Sequence, residues 1–433
     1  MNLKLLLATL ISVGFVFSLS AQNKKESTEI KYRRSSLHTI LLETEFPKKD
    51  TVIEAYYSTP FPDKYNNHTV GEKSFKPQDY LVSDEEIIAA GITKTEADVE
   101  QGNFPEMQLI IGNYFKKQKV AQKMISKWFN RDSLGAFSMG LIAERGMYNA
   151  SDMEAKIAKG TVRGTSSLAD AGEELIKNSF VVVSKLRFVN NEIVASGIRE
   201  VAYAAAESIN NDLIKQAAIV AADVAYEKAK EGYSVWTTAY LYQLEWNDSI
   251  AAVFYNNMWV DKSNLDADKI SAFDNTDLFS LKFVGKEKAS SLVTFSLKKG
   301  EGSRTDAQII KLATSRNIEA VFAKLQKEYD VFKTKTPLYT GYPITAKVGM
   351  KEGLKGGEKF EVLEQMINQK TGLTEYTRKG TIKVDKKLIW DNRFNAGEDS
   401  ESVTLDKEGN PITVTTFKGG KKYYSGMLIR QLK

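Results

Sequence analysis

The sequence predicts an α+β protein: a central helix-on-sheet domain, an N-terminal helical and loop region, and a C-terminal small all-β barrel-like module. Three observations point there. Leu168 to Trp246 reads helix, strand, long helix, strand; helical pattern stops between Lys333 and Pro343; and short alternating runs with glycine turns follow. The expected boundaries are 1–21 for a signal peptide, 22–160 for the N-terminal region, 161–335 for the central domain and 338–433 for the β module.

Met1 to Ala21 holds one basic residue, Lys4, then an apolar run from Leu5 to Phe17, then small residues at Ser18, Ser20 and Ala21. That order is a secretory signal peptide, because the run is short for a bilayer span and no stop-transfer charges frame a second one. Cleavage is expected after Ser20 or Ala21. The chain contains no cysteine, which excludes a lipoprotein anchor, a disulfide framework, thiol catalysis and thiolate metal ligands. Export to the periplasm or cell surface of a Gram-negative bacterium fits these two facts.

There are 60 basic and 55 acidic residues, and losing Lys4 with the signal leaves a formal charge of +4. So mild a balance, without clustered Lys and Arg, argues against nucleic acid as a partner. With 42% hydrophobic and 27% charged residues, the chain can bury a sizeable core without cross-links.

In chain order, Asn23 to Arg34 reads as a polar leader, Ser36 to Glu43 as a strand, and Pro47 to Pro77, rich in Pro and Asn, as a loop. Capping boxes at Ser83-x-x-Glu86, Thr93-x-x-Glu96 and Thr305-x-x-Gln308 start helices, since hydroxyl and carboxylate or amide each satisfy a free backbone N–H. Ser151-x-x-Glu154 caps another. Pro105 opens an amphipathic helix reaching Arg131, with Met107, Ile110, Ile111, Tyr114, Met124, Ile125 and Trp128 on its apolar face. Five lysines, Lys116, Lys117, Lys119, Lys123 and Lys127, lie on the remainder. Such a helix either packs on a core or lies on a membrane surface.

In the central stretch, Phe180 to Val189 puts Phe180, Val182, Leu186 and Phe188 on one face, with Lys185 and Arg187 on the other. Its beginning is apolar on both sides and its end meets solvent. Glu192 to Lys230 reads as one long helix ending at Gly232, with Ile209, Leu213, Ala217, Val220 and Val224 as a stripe for the sheet. Tyr233 to Trp246 alternates as a second strand, and Trp236, Tyr240, Tyr242 and Trp246 on one side serve either a structural core or an aromatic ligand platform. Beyond it come a short helix at Ser249 to Trp259, an acidic loop at Asp261 to Asp277, and paired strands at Leu278 to Val284 and Ser291 to Leu297. A helix follows from Thr305 to about Phe332. In the β module, Asp406-Lys-Glu-Gly-Asn410 is a hairpin loop, because Gly and Asn accept positive φ.

Little catalytic chemistry can be placed. The only histidines are His38 and His68, so no His follows Ser138 of Ala136-Phe-Ser-Met-Gly140, as the α/β-hydrolase order requires. Ser296-Leu-Lys-Lys299 is a bare Ser-x-x-Lys pair. Asp63 and His68 either share a metal or fix a surface turn. Asp261, Asp266, Asp268, Asp274 and Asp277 lack the order of a calcium loop. No metal and no cofactor is expected.

Gly349-Met-Lys-Glu-Gly353-Leu-Lys-Gly356-Gly-Glu-Lys-Phe-Glu-Val362 enters a strand, whereas a phosphate loop opens a helix. This run resembles the hairpin of small β-barrel modules in bacterial envelope proteins, such as the C-terminal domain of flagellar T-ring proteins, which implies that its glycines shape turns. Arg33-Arg-Ser-Ser-Leu37 with Pro62-Asp-Lys-Tyr-Asn-Asn-His68 resembles uncharacterised exported envelope proteins of Gram-negative bacteria, which implies the same address.

The function expected is an exported envelope scaffold or binding protein without its own catalysis. Its partner would be an envelope protein or polysaccharide. In the β module, Glu352, Glu358 and Glu361 alternate with Lys351, Lys355 and Lys359. A docking surface there is expected around Trp390, with Phe394, Tyr423 and Tyr424 as aromatic contacts. The alternatives are a carboxylate-based hydrolase acting on glycan, and peripheral membrane contact through Pro105 to Arg131. No transmembrane span is expected in the mature chain.

Overall fold

The computed structural model describes residues 32–93, 105–149, 174–260, 262–263, 265–293, 304–367, 374–398, 405–406 and 409–432. The expected signal segment, the Ser151 cap and Ser296 to Lys299 lie outside these residues, and the Thr93 box and the acidic run at Asp261 lie partly outside them.

Two strands carry most of the sheet. β4 (Ser179–Asn190) and β5 (Tyr233–Leu244) pair antiparallel, from Phe180 opposite Gln243 to Asn190 opposite Tyr233. β1 (Ser36–Leu42) runs parallel to β4 on one side, and β6 (Leu281–Val293) runs antiparallel to β5 on the other. Two short pieces, β2 (Asn66–Asn67) and β3 (Ser74–Phe75), pair with the outer edge of β1. Alternation then sends Leu37, Leu41, Phe180, Val182, Val235 and Leu241 to the first face. Ile40, Leu42, Val181, Val183, Tyr240 and Tyr242 go to the second. Phe180 to Val183 are all 0% exposed, as the doubly apolar start of that strand predicts.

Helices cover both faces. On the first lie α1 (Lys49–Ser58) and the long α10 (Asp306–Glu328), which buries Ile309, Leu312, Val321 and Leu325. The Ser83 box starts the short α2 (Asp84–Ala89), and the Thr305 box starts α10. Against the second face lie α3 (Met107–Lys117) and α4 (Val120–Trp128), followed by α5 (Gly140–Asn149). The Pro105 helix is thus two helices, broken where Lys119 adopts φ 49°. Its apolar face is spent on the core: Ile110, Ile111, Met124, Ile125 and Trp128 are all 0% exposed. Because β1 belongs to the expected N-terminal region and pairs along its length with β4, the partition at residue 160 does not separate two cores.

The central helix is corrected. Residues 192–230 form not one helix on the sheet but a hairpin of α6 (Asn191–Glu207) and α7 (Asp212–Ala229). Asn211 breaks the run, because its side chain accepts the Ile214 N–H and caps α7. The expected buried stripe faces outward: Leu213 is 84%, Val220 53% and Val224 49% exposed. Three further corrections follow, two in the second half of the chain and one at His68. Asp261 to Asp277 contains α9 (Ala267–Asp274), capped by Asp266, after α8 (Asp248–Asn257). Of the two strands expected between Leu278 and Leu297, the described part is one strand, β6, since Gly285-Lys-Glu-Lys288 is held by pairing with β5 and not turned, and 294–297 lie outside the described residues. His68, expected on a surface loop or sharing a metal with Asp63, is 0% exposed. Its Nε2–H donates to the Met124 carbonyl, its Nδ1 accepts from Arg145, and the ring stacks on Trp128 with centroids 4.8 Å apart.

The C-terminal part closes into a barrel in the order β10-β11-β8-β7-β12-β9. Its strands are β7 (Thr336–Gly341), β8 (Ile344–Ala346), β9 (Lys359–Ile367), β10 (Thr374–Val384), β11 (Thr415–Lys418) and β12 (Leu428–Gln431). Phe360, Val362, Ile382, Val384, Phe417 and Ile429 fill it. Gly353, Gly356 and Gly357 take positive φ in the turn before β9. Asp406 N–H donates to Asn410 O at 2.8 Å, which closes the ends of the expected hairpin loop, whose residues 407–408 lie outside the described ones.

His38 on β1 faces the second core, 0% exposed, and neither ring nitrogen has a hydrogen-bond partner among the described residues. Burial, with Lys127 and Lys73 nearby, lowers its pKa from 6.5 to about 4. The unfolded chain therefore takes up this proton first as pH falls, and stability is lost from about 6.5 downward through about 4. His38→Leu should retain stability at neutral pH and remove up to about 3 kcal/mol of that acid loss, read from urea midpoints at neutral and acid pH.

Candidate functional site

β4 and β5 are each 12 residues long, about 40 Å, and helices cover only part of their second face. Rows across the open part follow from the pairing. Lys185, Thr238 and Lys288 make one row, and Arg187, Trp236 and Ser290 the next. Partners directly opposite share a face, here the one carrying Val183 and Tyr240. The platform expected from the aromatic side of β5 divides accordingly. Tyr240, Tyr242 and Trp246 are buried in the second core, while Trp236 is 45% exposed.

α6 stands over this open sheet. Asn190 caps its first turn by accepting the Glu192 N–H, and buried Asn191 donates to the carbonyls of Glu231 and Val293 and accepts from Ser234. The base of the hairpin is therefore pinned to β5, β6 and the end of α7. Between α6 and α7 the seam is small and polar: Ala195, Ala206 and Ala222 are buried, the Arg199 guanidinium lies 3.9 Å from the Tyr226 ring centre, and the Tyr203 hydroxyl donates to Asp223. That seam uses one side of α6. The opposite side presents Ile193, Val194, Gly197, Ile198 and Val201, which with Val189, Arg187 and Trp236 line an open groove of about 490 Å³. Ile193 is 70%, Ile198 61% and Val201 71% exposed, a concentration of apolar surface that soluble chains rarely leave uncovered.

Arg187 lines the groove's sheet side, and Lys185 and Lys288 stand in the next row across the sheet on the same face. None has an ion-pair partner among the described residues. Burial, then Arg187 and Lys288, holds the Lys185 ammonium below the usual lysine range. Glu287 belongs to the other face of β6, beside Tyr329.

A second cavity lies where the barrel meets α10. Thr59 to Lys64, Ile318, Glu319, Phe322, Lys351 and Glu352 line about 70 Å³, room for a few waters and not for a sugar ring. Each of its acids accepts at least one hydrogen bond, though Glu352 Oε1 is buried without a hydrogen-bond partner among the described residues. Glu319 Oε2 accepts the Phe394 N–H at 3.0 Å, Glu352 Oε2 accepts from Gly349 and Asn392, and Asp63 Oδ1 accepts from Lys351 at 3.1 Å. Burial pushes Glu319 up to about 7 against the pull of that N–H. For Asp63, Lys64 and Lys351 outweigh burial and hold the carboxyl below the usual range. The arrangement latches the barrel to the helix–sheet–helix sandwich formed by the six-stranded sheet and the helices on its two faces. Among the described residues no group of His, Asp or Glu is placed to hold a metal ion, and no helix is long and apolar enough to cross a membrane.

The four aromatic residues expected to bind do not present one surface. Trp390 is half-buried, its N–H donating to Thr415 Oγ1 and its carbonyl accepting from Met350. Phe394 packs into the first-face core, and its carbonyl accepts from Arg316. Tyr423 is 7% exposed inside the barrel, where only a glycine at 380 leaves space for its hydroxyl. Tyr424 is exposed and donates to Glu364 at 2.7 Å. Two are thus structural, and only Tyr424 is largely accessible. What the sequence reading missed is the groove: Lys185 and Arg187 fall on the solvent face as read, but Lys288 and the outward side of α6 were concealed by the split strand and the single long helix.

Compared with known protein families and with curated proteins, the chain matches none.

For Glu319, protonation is favoured in the folded state, so the native form binds more protons between 4.5 and about 7 and stability falls as pH rises through that window. Glu319→Gln keeps an acceptor for the Phe394 N–H. It should raise stability above neutral pH by at most about 3 kcal/mol and change little in acid, as thermal unfolding across pH would show.

Proposed function

We propose that this is an exported, non-catalytic binding protein of the cell envelope, and that its ligand enters the groove between α6 and the open half of the sheet. One observation carries this reading: Ile193, Ile198, Val201 and Trp236 line a concave apolar surface of ligand-sized volume on a rigid, hydrogen-bonded base. The glycan-hydrolase alternative has less support, because Glu319 and Asp63 at the α10 cleft are engaged in holding two parts of the chain together. Membrane contact through Pro105 to Arg131 has less still, since the side chains that would enter lipid are buried under the sheet. Export remains the address suggested by the leader, with envelope protein or polysaccharide as further partners.

Two measurements test this. Nile red, an uncharged apolar dye, should gain fluorescence with the full chain, and Ile198→Asp or Trp236→Ala should weaken its binding about tenfold, the worth of one buried aliphatic or aromatic contact. Both positions are exposed in the free protein, so the fold should survive; unchanged dye binding by both variants would overturn the groove. For the address, mass spectrometry of the natively produced protein should find a mature start at Ala21 or Gln22.

A further inference from the structure

We infer that the groove takes a single long-chain amphiphile with an anionic head, its chain lying along α6 and Trp236 and its head held by Lys185, Arg187 and Lys288. This rests on the groove being the binding site and adds the chemical class of the ligand. The argument is one of complementary surfaces. The trough is lined by Val189, Ile193, Val194, Gly197, Ile198, Val201 and Trp236, which offer no hydrogen-bonding side chain beyond the indole N–H. A polysaccharide would leave its hydroxyls unmatched along such a wall, and desolvating them without partners is costly.

Charge appears only on the sheet side. Lys185 and Lys288 flank Thr238 in a single row across three strands, so their Cα atoms stand roughly 10 Å apart at two strand spacings. Arg187 follows two residues after Lys185 on the same face, about 7 Å along the strand. Three long cationic side chains rooted in that triangle can meet over one anionic group, and no carboxylate among the described residues pairs with any of them. In the neighbouring hairpin the pattern differs, because Arg199, Lys215 and Lys230 are each matched by Asp223, Glu207 and Glu227. Cations left unmatched beside an apolar trough are complementary to a molecule carrying both a chain and a negative head. Gly197 fits the same picture: a Cβ there would meet no atom within 4 Å, so the gap belongs to the groove and not to a backbone contact.

The test is calorimetric titration of the full chain with dodecanoate, dodecan-1-ol and dodecyltrimethylammonium, all kept monomeric. Dodecanoate should bind about tenfold or more tighter than the alcohol, the worth of one charge-assisted hydrogen bond, and the ammonium should bind weakest. Lys185→Glu/Arg187→Glu should abolish the preference for dodecanoate over the alcohol, read as the ratio of their two affinities; Lys185→Gln/Arg187→Gln, with circular dichroism as a folding check, should reduce it part-way. Equal affinity for acid and alcohol, or a preference that survives charge reversal, overturns the headgroup assignment while Nile red binding leaves the groove standing. Loss of all binding in the wild type removes both readings. Sedimentation with phosphatidylglycerol vesicles separates the sources, since capture by vesicles without monomer binding would overturn a single-molecule site.

Discussion

The antiparallel ladder between β4 and β5 is the constraint on which the rest depends. Its two strands extend beyond the helices of the second face, and the chain must deal with the overhang. On the covered half, Val181, Val183, Tyr240 and Tyr242 join a continuous core with Ile110, Met124 and Trp128. On the uncovered half the same alternation places Lys185, Arg187, Thr238 and Lys288 toward water. An overhanging sheet with a charged, half-aromatic face is stable because its first face remains packed under α10 and its hydrogen bonds are complete to β6. The groove is a product of sheet length.

Parts of this were legible and parts were not, for reasons specific to each residue. Phe180 to Val183 announced double burial by being apolar on both faces, and Lys185 with Arg187 announced the emergence into solvent. Ser83, Glu86, Thr305 and Gln308 gave helix starts because a capping box is chemistry local to four residues. The α6–α7 break was also local, yet Asn211 is a single polar residue inside an alanine-rich run, and composition over a wide window outweighed it. Gly285 misled in the opposite direction. It falls just after the first of the two strands expected there, whereas the glycine is needed inside one strand because the Tyr329 ring crosses β6 so closely that a Cβ would sit 2.3 Å from it. That crossing depends on residues 44 positions apart, beyond any local pattern.

The site was harder still. Lys185 and Lys288 belong to one row only through β5, and Asp63, Glu319 and Lys351 meet only because the barrel docks on α10. Aromatic residues near the end of the chain looked available by composition. Two were claimed by packing: Tyr423 by the barrel and Phe394 by the seam with the sandwich. Exposure follows from partners elsewhere in the chain, and for the aromatic side of β5 it came down to how far along the strand the helical cover extends.

The barrel closes between its own two ends. β7 enters from the sandwich at Thr336, and β12 leaves beside it, with Ile429 opposite Thr336 and Leu428 opposite Pro337. A load attached beyond Gln431 and resisted by the sandwich would therefore pull at neighbouring points on two antiparallel strands. The hydrogen bonds between them would be strained singly, from the end inward, in the manner of a zip, where strands loaded from opposite ends share the force in shear. As a mechanical tether the barrel is weak in that one direction at β7, while β12 must also be peeled from β9, which pairs with it from Leu363 opposite Leu428 to Phe360 opposite Gln431.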